Sequence, residues 1–137
     1  MVDEYLAVRI VRGRWPTSLP AGEELVLPAI RHWRLLQRIH SPGTGQLSQI
    51  LASLSPSGRD ALRYPHPEVL HVADSRPLLD EAAQIAALHG GGWLVCETLA
   101  AGLTHGAALW FGLERNVGRQ LGRSAEALGI AIHVITE

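Results

Sequence analysis

The sequence predicts a small α/β protein with a mainly parallel sheet of three to four strands, flanked by helices, and a helical insertion after the first strand. Two apolar runs in the second half, residues 69–73 and 93–96, break onto polar residues and are followed by helical patterns. Strands that alternate with helices favour parallel pairing through right-handed crossovers. The 137 residues suffice for one core that buries roughly two-thirds of the unfolded surface.

The first half of the chain predicts one strand, then three helices: residues 5–11, 27–39, 46–54 and 56–63. Residues 5–11 have strand composition with partial alternation, typical of an edge strand. Apolar residues three to four apart indicate the helices, although residues 26–28 could also begin as a strand. Ser55 followed by Pro56 is typical of an N-cap with proline at the first helical position.

The second half predicts strand, helix, strand, helix and strand over residues 68–73, 77–88, 93–96, 104–128 and 130–135. Pro65 and Pro67 mark the boundary, because two prolines prevent regular pairing on either side. Residues 1–65 carry eight arginines and five acids, and residues 66–137 carry four arginines and eight acids. We therefore expect one domain, residues 1–137, with a helical basic lobe over 1–65 and a βαβαβ lobe over 66–137.

Composition indicates a cytoplasmic protein without a membrane segment. The N-terminus is acidic and lacks a signal-peptide pattern, and the apolar stretch 82–113 is interrupted by glycines, histidines and Glu97. Cys96 is the single cysteine, so no intrachain disulfide forms, and its apolar surroundings predict a buried, inert thiol. The formal net charge of −1 gives no strong attraction to polyanions.

The carboxyl ends of the predicted strands are one candidate site, because ligands of parallel sheets bind there. Asp74 and Glu97 would lie at neighbouring strand ends as acid, base or metal ligands, with Arg76 holding an anion. His105, beside a predicted helix N-terminus, is a further acid or base. The structural alternative makes Asp74 or Ser75 a helix N-cap and pairs Glu97 with an arginine. No histidine spacing resembles a zinc signature, and nothing identifies a cofactor.

Arginines form the second candidate site. The chain has twelve arginines and no lysine, which reflects either the codon usage of a GC-rich genome or a need for guanidinium contacts. Spacings of three to four residues predict two ladders on helix faces. They comprise Arg31, Arg34 and Arg38 in the first lobe and Arg115, Arg119 and Arg123 in the second. These side chains suit RNA phosphates or an acidic protein surface, the alternative being a solvated face paired with acids.

The leading functional expectation is a non-catalytic binding or assembly module that docks an acidic protein or RNA through these arginines. The alternative is a small enzyme or ligand-binding protein that uses Asp74, Glu97 and His105. Gly118 and Gly122 are spaced to share one face of the predicted long helix, where small residues allow a close approach. A homo-oligomer formed through that helix face is therefore a further expectation.

Overall fold

The computed structural model describes residues 1–136. Its α-helices are Glu4–Val11 (α1), Ala29–His40 (α2), Gln46–Ala52 (α3), Pro56–Arg63 (α4), Leu79–His89 (α5), Trp93–His105 (α6) and Arg119–Leu128 (α7). Its strands are Val26–Pro28 (β1), His71–Ala73 (β2), Leu109–Phe111 (β3) and Ile132–Val134 (β4). Short 3₁₀ helices lie at Arg76–Leu78 and Glu114–Asn116.

The strands form two parallel pairs, β1 with β2 and β3 with β4. Residues 1–3 lie between these pairs: Val2 N–H donates to Val26 O at 2.9 Å, and Trp110 N–H donates to Met1 O at 2.9 Å. Asp3 N–H donates to Trp110 O at 3.0 Å. The prediction of a mixed α/β protein is confirmed. A single sheet of three to four strands is not, because the named strands form two separate pairs.

The prediction of a first strand over residues 5–11 is wrong, since this segment belongs to α1. Asp3 caps the helix by accepting a hydrogen bond from Leu6 N–H at 2.9 Å. Leu6 and Ile10, four residues apart, are buried together on one face of the helix. The helical insertion was predicted to follow this strand. In the structure three helices instead separate β1 from β2.

The predicted strand over residues 93–96 is also wrong, because it is the start of α6. Every residue from Cys96 to Gly102 is buried, so the helix shows no amphipathic periodicity. The preceding helix ends as expected, with Gly90 at its C-cap and φ of 77°. The Cys96 thiol is buried, and burial raises its pKa.

The long helix predicted over residues 104–128 is replaced by the end of α6, β3, a 3₁₀ helix and α7. Gly106 ends α6 with φ of 59°, and Gly118 stands just before α7 with φ of 73°. Such positive φ angles interrupt a helix and favour glycine. Gly118 and Gly122 therefore do not form a stripe along one helix.

The remaining element predictions are close to the structure. Ser55 Oγ accepts a hydrogen bond from Gly58 N–H at 3.2 Å, and Pro56 occupies the first turn of α4. Helices α2, α3 and α5 and strands β2 and β4 lie within or nearly within the predicted ranges. Helix α2 begins at Ala29 because residues 26–28 form β1, the alternative that the sequence left open.

Two apolar clusters hold these elements together. The first includes α1, α3 and α4 side chains with Leu35 and Leu70, and the second includes α5, α6 and α7 side chains with Leu109 and Phe111. Residues 1–3 contribute to both, through Val2 in the first cluster and Met1 in the second. Within residues 1–136, no helix is long and apolar enough to cross a bilayer.

Candidate functional site

A buried polar cluster lies where residues 1–3, β1 and β3 all reach their carboxyl ends. Asp3 ends the N-terminal segment and Glu4 begins α1, Arg31 and Arg34 lie on α2 just beyond β1, and Asn116 follows β3. We call these five residues the carboxyl-edge cluster. This edge is where ligands of parallel sheets bind.

Glu4 is the centre of the carboxyl-edge cluster. Its Oε2 accepts from Arg31 Nη1 at 3.0 Å and from Asn116 Nδ2 at 2.7 Å, and its Oε1 accepts from Arg34 Nη1 at 2.8 Å. Burial disfavours the Glu4 carboxylate, but the charges of Arg31 and Arg34 and the Asn116 hydrogen bond together hold its pKa below the usual range. Glu4 is therefore an ionised carboxylate neutralised by two guanidinium groups.

Asp3 is less well compensated. Its Oδ1 accepts from Leu6 N–H at 2.9 Å and from Gly112 N–H at 3.0 Å, and its Oδ2 accepts from Asn116 Nδ2 at 2.8 Å. Burial, aided by the nearby Glu4 charge, outweighs these hydrogen bonds and raises the pKa of Asp3 to about 6. Asp3 therefore titrates closer to neutrality than an ordinary aspartate.

Helix α6 contacts α2 next to the cluster through Glu97 and Thr98. Glu97 Oε2 accepts from Ile30 N–H at 3.0 Å and so caps α2, which begins after a proline that offers no capping side chain. Glu97 Oε1 is buried, and no group within residues 1–136 forms a hydrogen bond to it. Thr98 Oγ1 accepts from Arg31 Nε at 2.9 Å. Arg31 is 1% exposed, and its guanidinium lies 5.1 Å from the centre of the Phe111 ring.

This arrangement encloses the Arg31 guanidinium between the Glu4 carboxylate, the Thr98 hydroxyl and the Phe111 ring. Arg31 fills the space between Glu4 and Thr98, where it contacts both. Among residues 1–136, no group of three or more histidine, cysteine, aspartate or glutamate side chains could hold a metal ion. The buried part of the cluster is therefore suited to positioning α1, α2 and α6 against one another.

The structure separates the residues predicted to form an acid–base site. Asp74 is exposed and contacts Arg76, with 3.5 Å between Oδ2 and Nη2, while Asp74 Oδ1 accepts from Arg76 N–H at 3.1 Å. Glu97 is buried in α6, and its Oε2 accepts a hydrogen bond from the first turn of α2. His105 is exposed in the last turn of α6, not beside a helix N-terminus, and about 12 Å from Glu97 along the helix axis.

The two predicted arginine ladders are divided between buried and exposed positions. Arg31 is enclosed, and the Arg34 side chain is 35% exposed while it bonds to Glu4. Arg38 is exposed. Arg115 lies in the 3₁₀ helix, so it does not share a helix with the exposed Arg119 and Arg123 of α7.

We call Arg34, Arg38 and Arg115 the basic rim. Arg38 and Arg115 lie near the segment from the α2–α3 loop to the start of α3, and Arg34 lies beside Asn116. Arg115 Nη2 donates to Gln46 Oε1 at 3.2 Å. A Cβ added at Gly43 would lie 2.9 Å from Arg38 Nη1, so Arg38 covers the same loop. Arg34 Nη1 lies 3.5 Å from Asn116 Oδ1, next in sequence to Arg115. The basic rim thus borders the carboxyl-edge cluster on its exposed side.

Asp3, Glu4 and Asn116 were not predicted as site residues. Asp3 and Glu4 follow a two-residue apolar start that is too short to read as a strand, although an aspartate before a helical segment is an N-cap signal. Asn116 is the single asparagine of the chain, but no spacing relates it to Asp3.

No protein-family model matches this chain, and comparison with curated proteins and with solved structures finds no significant match. The function of the site therefore has to be inferred from its own residues.

Proposed function

We propose that this protein is a non-catalytic binding module whose basic rim docks an acidic segment of another protein. The observation that supports this proposal is that Arg38 and Arg115 both lie near the segment from the α2–α3 loop to the start of α3, while Arg34 lies beside Asn116, the neighbour of Arg115 in sequence. Arg38 and Arg115 are exposed, and neither belongs to an ion pair within residues 1–136. Exposed guanidinium groups form bidentate hydrogen bonds with carboxylates.

The overall charge favours a protein partner over RNA. RNA binding requires many contacts between cationic side chains and phosphates, and it is favoured by a net positive charge. This chain carries 13 acids and a formal net charge of −1. A local group of arginines in a slightly acidic molecule suits a short acidic segment, which needs few contacts. The buried ion pairs of Arg31 and Arg34 with Glu4 hold α2 in place beneath the rim.

Fluorescence anisotropy with a labelled poly-glutamate peptide and with oligouridine tests this proposal. We expect the native protein to bind the peptide at low salt and to release it at high salt. The double variant Arg38→Gln, Arg115→Gln should weaken peptide binding by about tenfold, a loss of about 1.4 kcal/mol. Its free energy of unfolding should stay within about 1 kcal/mol of the native value, because both side chains are exposed.

A matched variant, Arg9→Gln with Arg76→Gln, removes the same number of positive charges from other places and should bind the peptide normally. The variant Arg119→Gln, Arg123→Gln tests whether these two arginines of α7 also contribute to peptide binding. Equal weakening by the control variant would mean that the attraction is non-specific and would overturn the proposal. Tighter binding of oligouridine than of poly-glutamate would overturn it in favour of RNA.

A further inference from the structure

We propose that a second site, a cavity of about 420 Å³ between α1, α3 and α4, binds the phosphate group of a small molecule. Arg12 and Arg14, which follow α1, line this cavity. Ser53, Ser55 and Ser57, at the end of α3 and the start of α4, line it as well. We call it the arginine–serine cavity. It shares no residue with the basic rim and does not depend on the proposed function.

The charge of the arginine–serine cavity points to an anion. Its remaining lining residues are Val11, Leu54, Gly58 and Ala61, so no carboxylate faces the two arginines from the lining. Arg12 and Arg14 are exposed and belong to no ion pair within residues 1–136. Two guanidinium groups that line one concave space without a carboxylate attract an anion, and a doubly charged anion most strongly.

Ser55 and Ser57 supply neutral hydrogen bonds in the same cavity. Ser55 Oγ lies 3.1 Å from Ser57 Oγ, and both residues are exposed, whereas the Ser53 hydroxyl donates to Ile50 O at 2.6 Å. Hydroxyl groups donate readily to phosphate oxygens, and a phosphate can accept from hydroxyl and guanidinium donors at once. The start of α4 adds a small favourable partial charge for an anion.

The size of the cavity indicates a ligand larger than a free phosphate ion. Pockets for small molecules and cofactors measure roughly 300–1,000 Å³, and this cavity of about 420 Å³ lies within that range. The ligand class is therefore a small phosphate monoester, whose phosphate group contacts the arginines and the serine hydroxyls.

Isothermal titration calorimetry and thermal unfolding of the full chain test this proposal with three probes: inorganic phosphate, adenosine monophosphate and adenosine. We expect the monophosphate to bind and to raise the melting temperature, phosphate to bind more weakly, and adenosine to give no signal. The variant Arg12→Gln, Arg14→Gln should weaken monophosphate binding at least tenfold. Its backbone hydrogen bonds, Arg12 N–H to Val8 O and Arg14 N–H to Arg9 O, do not involve the side chains.

A second variant, Ser57→Ala, removes one hydroxyl without touching the arginines and should weaken binding by a smaller factor. The variant Arg9→Gln, Arg76→Gln changes charge equally elsewhere and should bind like the native protein. Absence of binding by both phosphate-containing probes would overturn the proposal. Unchanged binding in Arg12→Gln, Arg14→Gln would overturn it as well, as would adenosine binding as tightly as its monophosphate.

Discussion

Arg31 shows how a single residue can join distant parts of this chain. Its guanidinium bonds to Glu4 on α1 and to Thr98 on α6, and it packs over Phe111 of β3. A buried arginine loses much hydration, and only close pairing with a carboxylate and further hydrogen bonds offsets that loss. With Arg31 and Arg34 both bonded to Glu4, Asp3 is left without an arginine partner.

The free energy of unfolding should therefore depend on the protonation of Asp3. The pKa of this carboxyl is raised from 3.8 to about 6 in the folded protein, so folding is favoured when Asp3 is protonated. This stabilisation is complete below about pH 4 and is lost as the pH rises through 6. The expected loss is on the order of 3 kcal/mol. Urea denaturation at a series of pH values from 4 to 7 measures it.

The variant Asp3→Asn removes the titrating group while keeping an oxygen that accepts from Leu6 and Gly112. Between pH 4 and 6, the free energy of unfolding of this variant should decrease much less than that of the native protein. Glu4 acts in the opposite direction, because its pKa is lowered and its contribution disappears as the solution becomes acidic. An unchanged pH dependence in Asp3→Asn would show that the proton is bound elsewhere.

At the scale of elements, the sequence predicted best those helices that have one buried face. Helix α4 was predicted from a serine cap and a proline, both local signals that the structure confirms. Helix α6 was missed because seven consecutive residues, Cys96–Gly102, are buried, which removes the contrast between faces. Helix α1 was missed because its buried positions include Glu4, whose charge is compensated only by residues far along the chain.

Neither the location nor the composition of the carboxyl-edge cluster was predicted. The sequence placed a site at the ends of strands over residues 69–73 and 93–96, whereas the cluster lies at the ends of residues 1–3, β1 and β3. Its central ion pair joins Glu4 to Arg31, 27 residues apart, and no periodicity relates such residues. The sequence placed Glu97 at a strand end, whereas the structure places it in a helix, where it caps α2.

The glycines of α7 lead to a prediction about that element. Gly122 does not have a positive φ, and a Cβ added there meets nothing within 4 Å. Gly122→Ala should therefore raise the free energy of unfolding by roughly 0.5–1 kcal/mol, because alanine favours the helix. Gly118→Ala should lower it, since φ of 73° at that position strains alanine. Chemical denaturation of both variants measures these changes.

The same variants address the predicted homo-oligomer. If a second copy packed closely against this face of α7, the added methyl group of Gly122→Ala would weaken the association. We expect an unchanged molar mass in analytical ultracentrifugation, because Gly118 lies outside α7 and the pair of glycines does not form one helix face. A lower mass for Gly122→Ala than for the native protein would contradict this expectation and favour the oligomer.

At the scale of the whole molecule, two apolar clusters are joined by the segment of residues 1–3 and by the carboxyl-edge cluster. Val2 packs into the first cluster and Met1 into the second. The backbone of the same segment bonds to β1 on one side and to β3 on the other. These links predict that the two clusters unfold together.

The variant Val2→Pro tests this coupling, because proline lacks the N–H that donates to Val26 O at 2.9 Å. Loss of this buried hydrogen bond should lower the free energy of unfolding by about 1–3 kcal/mol. Urea unfolding, followed by single-tryptophan variants that retain either Trp33 on α2 or Trp93 on α6, should give coincident transitions that shift equally. Val2→Ala keeps the N–H and measures the loss of side-chain packing alone. A shift of the Trp33 transition without one at Trp93 would mean that the clusters unfold independently, and that residues 1–3 stabilise the first cluster alone.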